Sequence, residues 1–209
     1  MSLLVVCEGL DASGKTSVIK KALELSGNEF LYNKGLKTRT IAGRFSRLFP
    51  STFSLLLEIM YNDYFSVRKN LKKGKVILQD RWFYSVLAHN PENKKDKLLE
   101  RLFVPYLSKP DIFVYFTVSD EKRTERLAAR EDAKEHEFLT RNPEKIKEME
   151  QRFFQKYLDF NGEKHIIDTT KLSVEECGKK LYDVIKVNCN IHVADSCSQL
   201  SFYEHPENH

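Results

Sequence analysis

A glycine-rich octapeptide near the start of the chain has residue types and spacing suited to binding phosphate. Residues 9–16 read Gly-Leu-Asp-Ala-Ser-Gly-Lys-Thr, which fits the pattern G-x-x-x-x-G-K-[ST]. Glycines let backbone N–H groups curl around a phosphate, and the N-terminus of the following helix adds its dipole. In such a loop the lysine reaches the β- and γ-phosphates, and the last hydroxyl ligates Mg²⁺. The motif therefore predicts binding of ATP and Mg²⁺ by Gly9, Ala12, Ser13, Gly14, Lys15, Thr16 and Ser17.

An acid followed by an arginine stands at the end of an apolar run later in the chain. Residues 76–78 read Val-Ile-Leu, and Asp80 and Arg81 come just after them. Ligands of an open parallel sheet bind beyond the carboxyl ends of its strands. We therefore expect Asp80 to hold Mg²⁺ together with Thr16, and Arg81 to bind an acceptor phosphate through its two-pronged guanidinium. Taken alone, the pair would also fit an ordinary ion pair at a strand end.

Arginines are concentrated in the segment 123–141, at Arg123, Arg126, Arg130 and Arg141. Transfer of a phosphoryl group between two phosphates concentrates negative charge, which a closing arginine lid neutralises while it excludes water. Arg126, Arg130 and Arg141 are therefore candidate catalytic residues. The alternative is a solvated helix, because nearby glutamates almost balance these charges.

Strands and helices alternate along the chain in the order needed to position these motifs. Short apolar runs predict strands at 3–7, 30–32, 76–78, 112–118 and 165–167, and helical spacing predicts helices at 18–25, 51–71, 98–107, 120–130 and 143–160. Residues 173–176 have the look of a capping box that opens a last helix. This alternation predicts an α/β fold, a three-layer P-loop NTPase-type sandwich with a five-stranded parallel sheet and an arginine-bearing lid. We expect one domain over 1–187, and a mobile or surface-packed tail over 188–209.

Composition restricts the setting in which the protein works. The 209 residues carry a net charge of +4, with five basic residues and no acidic ones from 34 to 50. This basic segment fits either a solvated face or attraction of polyanionic substrates. No apolar stretch approaches the roughly 20 residues that span a bilayer, and the chain opens directly on a strand, so we expect no signal peptide. The four cysteines lack metal or disulfide spacing, which predicts reduced thiols in the cytoplasm.

Taken together, the motifs resemble the thymidylate kinase family over nearly all of residues 3–187. The family's E-G-x-D-x-x-G-K-[ST] is matched at 8–16, and its D-R-[YH] corresponds to Asp80-Arg81-Trp82, with a serine at Ser85. The arginine segment, then Arg152-Phe153-Phe154 and Tyr157, also look similar. The resemblance implies that Asp11 approaches the acceptor sugar, Arg81 the acceptor phosphate and Lys15 the donor phosphates.

Departures from the family fall where the acceptor should bind. Where the family has R-E-P, residues 32–35 read Tyr-Asn-Lys-Gly. Where its long helix has A-D-R, residues 59–64 read Ile-Met-Tyr-Asn-Asp-Tyr, without that arginine, and its A-Y-Q becomes Ala-His-Asn at 88–90. Lys34 can replace the charge of the missing arginine but not its fork geometry. With Asp11 and Arg81, we take Lys34, Ser85 and His89 as candidate acceptor-binding residues.

The expected activity is transfer of the γ-phosphoryl group of ATP to a (deoxy)nucleoside monophosphate, with dTMP giving dTDP as the first candidate. An acceptor phosphate is already ionised, so no general base is required. A deoxynucleoside kinase is the nearest alternative, and Asp80 is its only obvious base. A nucleotide-binding regulator or NTPase shares the phosphate loop but needs no acceptor arginine. Nucleic acid and membrane partners are not expected, and a homodimer is left open.

Overall fold

A five-stranded parallel sheet forms the centre of the computed structural model, which describes residues 2–27, 29–35, 52–89, 94–129 and 142–200. The strands are β1 (Leu3–Glu8), β2 (Phe30–Lys34), β3 (Val76–Asp80), β4 (Ile112–Thr117) and β5 (Glu163–Asp168). Their order across the sheet is β2-β3-β1-β4-β5. The three central strands are apolar along most of their length because both of their faces are covered.

Helices connect successive strands and cover both faces of the sheet. They are α1 (Lys15–Leu25), α2 (Thr52–Asn62), α3 (Arg68–Leu71), α4 (Phe83–His89), α5 (Lys94–Phe103), α6 (Asp120–Ala128), α7 (Pro143–Asp159) and α8 (Val174–Leu200). A π-helical turn, Asp63–Val67, joins α2 to α3, and a 3₁₀ turn, Val104–Tyr106, follows α5. Within the described part of the chain, no helix is both long enough and apolar enough to cross a membrane.

Two apolar layers hold these helices against the sheet. On one face, α1 and α8 bury Val18, Ile19, Leu181 and Ile185 against β1, β3 and β4. On the other face, α2 and α4 cover β1 and β3, while α7 packs on the aromatic side chains of β4. Helix α1 begins at the phosphate loop, and α8 packs directly on α1. The C-terminal helix therefore supports the loop through α1.

The predicted strands and their parallel arrangement are confirmed. The helix predicted over 51–71 instead contains the π-helical turn, and the helix predicted from residue 98 already begins at Lys94. The capping box is present, since Ser173 N–H donates to Glu176 Oε2 at 2.8 Å and Glu176 N–H to Ser173 Oγ at 3.2 Å. Helix α8 runs past residue 187 to Leu200 without a break. Residues 188–200 thus extend a helix, and the boundary at 187 stays a prediction.

Candidate active site

The phosphate loop connects the end of β1 to the start of α1, as predicted. Gly14 stands just before α1 with φ +82°, a conformation that favours glycine because side chains crowd the backbone there. Lys15 Nζ donates to the carbonyl oxygens of Gly9 at 2.7 Å and Leu10 at 2.8 Å. Burial is the main cause that lowers the pKa of this ammonium to about 8, and the nearby charge of Arg81 acts in the same direction. The lysine is therefore held at the centre of the loop.

A carboxylate at the end of β3 lies beside the first turn of α1. Thr16 Oγ1 donates to Asp80 Oδ2 at 2.8 Å, and the Tyr32 hydroxyl donates to the same oxygen at 3.0 Å. Burial raises the pKa of the Tyr32 phenol, and the charge of Asp80 adds to this effect, so the phenol stays protonated and remains a donor. A hydroxyl and a carboxylate side by side form the oxygen donor set that Mg²⁺ prefers. Thr16 and Asp80 therefore fit the predicted metal site.

Two cations and an acid lie in the same cavity as Asp80, beside the phosphate loop. Arg81 forms an ion pair with Asp11, and both are partly exposed. Together with Lys34, Asp80 and residues of the loop they line a cavity of about 230 Å³. Asp11, Lys34 and Arg81, predicted from distant parts of the sequence, are thus brought together at the carboxyl edge of the sheet.

Glu8 is a fully buried acid at the end of β1. Its carboxylate accepts hydrogen bonds from Trp82 N–H at 2.7 Å, Ser85 N–H at 3.2 Å and the Ser85 hydroxyl. Burial raises its pKa to about 7, although these hydrogen bonds act in the opposite direction. Ser85 is itself buried against Glu8 and does not form part of the cavity wall. Its predicted contact with an acceptor stays a prediction.

Arg126 lies against the opposite flank of the phosphate loop. Its guanidinium donates to Thr169 Oγ1 at 2.9 Å, to Thr169 O at 2.8 Å and to Ala12 O at 3.3 Å. Thr169 in turn donates to Ser13 O at 2.9 Å. These contacts form one wall of a second cavity of about 300 Å³, which Leu172 and Val174 complete with apolar surface. The arrangement suits a flat ring system, because a guanidinium stacks on such faces.

Three predicted residues cannot be placed in this geometry. Arg130 and Arg141 lie outside the described residues, and the side chain of His89 does so too, although its backbone ends α4. Arg123 is buried and pairs with Asp120 at 3.1 Å on its own helix, and it lines neither of the two cavities.

Glu8, Tyr32 and Thr169 are site residues that were not predicted. Glu8 has one signal in the sequence, since it is a polar residue at the end of an apolar strand. Its hydrogen-bond partners, however, are more than 70 residues away along the chain. Tyr32 and Thr169 have no comparable local signal. Each acquires its contacts only when the sheet is assembled.

A family model and a curated relative both relate this chain to thymidylate kinases. The family model described as Thymidylate kinase matches residues 7–181. A curated relative, the probable thymidylate kinase of Methanocaldococcus jannaschii, is 25% identical over 190 residues, which cover 88% of this chain and 96% of the relative.

Two solved structures are similar in fold. The thymidylate kinase of Ehrlichia chaffeensis superposes with a TM-score of 0.58 at 17% identity, over 88% of this chain and 98% of that one. The deoxyadenosine kinase of M. mycoides, solved with products bound, superposes with a TM-score of 0.66 at 15% identity, over 90% of this chain and 100% of that one. The predicted P-loop α/β fold is thereby confirmed.

Proposed function

The chain belongs to the thymidylate kinase family of ATP-dependent nucleoside-monophosphate kinases, and we propose that it phosphorylates dTMP to dTDP with ATP and Mg²⁺. The observation that carries the proposal is the Arg81–Asp11 pair in the cavity beside Lys15. An arginine fork at this place can bind a monophosphate while the lysine binds the donor phosphates. Asp11 pairs with this guanidinium and would approach the acceptor sugar.

The reaction asks this site for positioning and charge neutralisation. The attacking oxygen of a monophosphate is already ionised, so no group has to remove a proton from it. Lys15, Arg81 and Arg126 surround the phosphate loop and would hold the donor and acceptor phosphates in line. Thr16 and Asp80 would hold Mg²⁺, which neutralises charge on the donor phosphates. The cavity beside Arg126 and Thr169 would take the donor base.

The contacts of the nearby acids favour a phosphorylated acceptor over a nucleoside. A nucleoside kinase needs a carboxylate that can accept the proton of a hydroxyl. Asp80 Oδ2 already accepts two hydrogen bonds, and Asp11 is paired with Arg81. Glu8 is buried beneath the loop. A fold shared with a deoxyadenosine kinase does not separate the two activities, so a nucleoside acceptor is the alternative that the assay must test.

An ADP-release assay with Mg-ATP tests the proposal directly. The acceptors are the common deoxynucleoside and ribonucleoside monophosphates, together with thymidine and the other deoxynucleosides. We expect turnover with dTMP and none with thymidine. Turnover of thymidine without turnover of dTMP would make the enzyme a nucleoside kinase, and ATP binding without any acceptor would favour a regulator or NTPase.

Variants of the two cations test the assigned roles. Lys15→Ala is expected to lose most turnover, because the donor phosphates lose their main cation. Arg81→Ala is expected to raise the acceptor KM by at least about tenfold, the effect of losing a charged hydrogen bond, with little change in the KM for ATP. Arg101→Ala, at an exposed position of α5, is the matched control and should leave both constants unchanged. An unchanged acceptor KM in Arg81→Ala rejects the role given to that arginine.

The remaining expectations concern the setting of the enzyme. We also propose that the enzyme works in the reducing cytoplasm, where Cys7, Cys177 and Cys189, free in the described part of the chain, would stay reduced. A homodimer is a further proposal, which the mass of the purified protein in solution would test.

A further inference from the structure

A buried carboxamide on β3 is not explained by the packing of the sheet. Gln79 is completely buried, although it follows three apolar residues of its strand, 76–78, and its neighbour on β1 is Val6. Burying an amide is unfavourable unless both of its ends are hydrogen-bonded. Here both ends are: Oε1 accepts from Asn33 Nδ2 at 2.7 Å, and Nε2 donates to the carbonyl oxygen of Arg81 at 2.8 Å. The amide therefore joins β2 to the backbone of the acceptor-side arginine.

The backbone of Arg81 needs this support. Its φ is +69°, in the left-handed region that residues with a side chain seldom adopt unless the surroundings hold them there. Its N–H donates to Cys7 O at 3.1 Å, and Gln79 binds its carbonyl. Gly35 packs on the same carbonyl, so closely that a Cβ at Gly35 would overlap the oxygen. The direction in which the guanidinium leaves the sheet is thus fixed through the main chain.

The second acceptor-side cation is held in a similar way. Asn62, at the end of α2, donates from Nδ2 to the carbonyl oxygens of Lys34 and Gly35, each at 3.2 Å. Its Oδ1 accepts from Asn33 Nδ2 at 3.3 Å. The backbone that carries Lys34 is therefore tied to helix α2.

Asn33 connects the two halves. It donates to both Gln79 and Asn62, and its Oδ1 accepts from Ser66 Oγ at 3.1 Å. Asn33, Asn62, Ser66 and Gln79 form what we call the amide cluster. None of the four side chains belongs to the wall of the 230 Å³ cavity, so none is placed to touch a substrate there.

We propose that the amide cluster positions Arg81 and Lys34 for the acceptor phosphate, with Gln79 as the positioning residue for Arg81. The inference rests on the proposed function, because it assumes that these two cations bind the acceptor. It adds that the geometry of the acceptor site is set by neutral amides that bind the backbone.

Gln79→Met tests the role of Gln79, because methionine has a similar length but no amide. Losing one buried hydrogen bond to Arg81 is expected to raise the KM for dTMP by about tenfold, while the KM for ATP stays within about twofold of wild type. Ile77→Ala is the matched control, two residues earlier on the same face of β3 and equally buried. It should lower stability through a cavity and leave both KM values of the folded enzyme unchanged.

Gln79→Glu separates positioning from a purely structural role. A glutamate at this place can accept from Asn33 at any pH, but it can donate to Arg81 O only when protonated. Burial favours the protonated form of such a group. The KM for dTMP of Gln79→Glu, divided by that of wild type at the same pH, is therefore expected to fall as the pH is lowered from about 8 to about 6. The same ratio for Gln79→Met should stay constant.

A binding measurement distinguishes failure of this inference from failure of the proposed function. Inorganic phosphate, added with Mg-ADP present and followed by the NMR signal of the Arg81 guanidinium, probes the cations whichever acceptor is phosphorylated. We expect Gln79→Met to bind phosphate about tenfold more weakly than wild type. Ile77→Ala is expected to bind phosphate as tightly as wild type. If wild type binds phosphate but phosphorylates no monophosphate, only the proposed function fails. If folded Gln79→Met binds phosphate as tightly as wild type, or raises both KM values equally, the inference is overturned.

Discussion

Replacing Glu8 by glutamine would test how the buried acid beneath the active site contributes to stability. Its pKa is about 7 in the folded protein, against an ordinary value of 4.5, and burial is the main cause. A carboxyl group with a raised pKa binds more protons in the folded chain than in the unfolded one. Its stabilising effect is therefore complete below pH 4.5 and is lost as the pH rises through about 7.

The magnitude follows from the two pKa values. A difference between about 7 and 4.5 corresponds to about 3 kcal/mol at about 1.4 kcal/mol per pH unit. We expect the free energy of unfolding of wild type to fall, relative to that of Glu8→Gln, by as much as about 3 kcal/mol between pH 4.5 and pH 8. Taking the difference between the two proteins removes the contribution of every other titrating group that they share.

Urea denaturation at several pH values across this range measures the effect. Ser85→Ala supplies a control of opposite sign, because the Ser85 hydroxyl lowers the pKa of Glu8. Removing it should raise that pKa further and make the loss of stability with pH steeper. Parallel pH profiles of wild type and Glu8→Gln would refute the reasoning, since the acid would then titrate alike in the folded and unfolded chains.

Three further perturbations address the loop, the metal corner and the acceptor backbone. At pH 8 about half of the Lys15 amines are neutral, and bound phosphates favour the charged form. Calorimetry of Mg-ATP binding in two buffers should therefore detect uptake of as much as about 0.5 proton by the protein. Equal proton uptake by Lys15→Met would contradict this. Tyr32→Phe removes one hydrogen-bond donor to Asp80 and should raise the Mg²⁺ concentration that half-saturates the ADP complex by about tenfold. A Mg²⁺ titration monitored by nucleotide fluorescence measures this concentration, and a value equal to that of wild type would count against the prediction. Gly35→Ala should lower the free energy of unfolding by about 1–3 kcal/mol, because its Cβ would overlap Arg81 O; urea denaturation that matches wild type would show that the carbonyl is free to move.

The donor side of the site was predictable because its signals are local. Residues 9–16 carry their chemistry in one short segment, and the apolar runs on either side fix a strand before the loop and a helix after it. Asp80 and Arg81 were predictable for the same reason, since the end of a buried strand in a parallel sheet has a known place. These motifs meet at one edge of the sheet because β1 and β3 are neighbours.

The acceptor side depends on contacts between distant parts of the chain. In the sequence Gln79 is only a polar residue within a strand. Its hydrogen bond to Asn33 of β2 forms only in the assembled sheet. Glu8 likewise acquires its role from Ser85, 77 residues away. The helix predicted over 98–107 instead spans Lys94–Phe103, and its start was missed because its first turn is charged and shows no apolar period. Such features follow from assembly and leave no periodic signal in the sequence.

The two cavities have a consequence for inhibitor design. Ala12, Gly14 and Ser17 line both the cavity beside Arg126 and the one beside Arg81, so the cavities adjoin along the phosphate loop. A single molecule with a nucleoside at each end of a polyphosphate chain could occupy both. Binding the second end would then be intramolecular, with the high effective concentration that a short tether provides. The polyphosphate length that gives the highest affinity would then report the distance between the two nucleosides in the site.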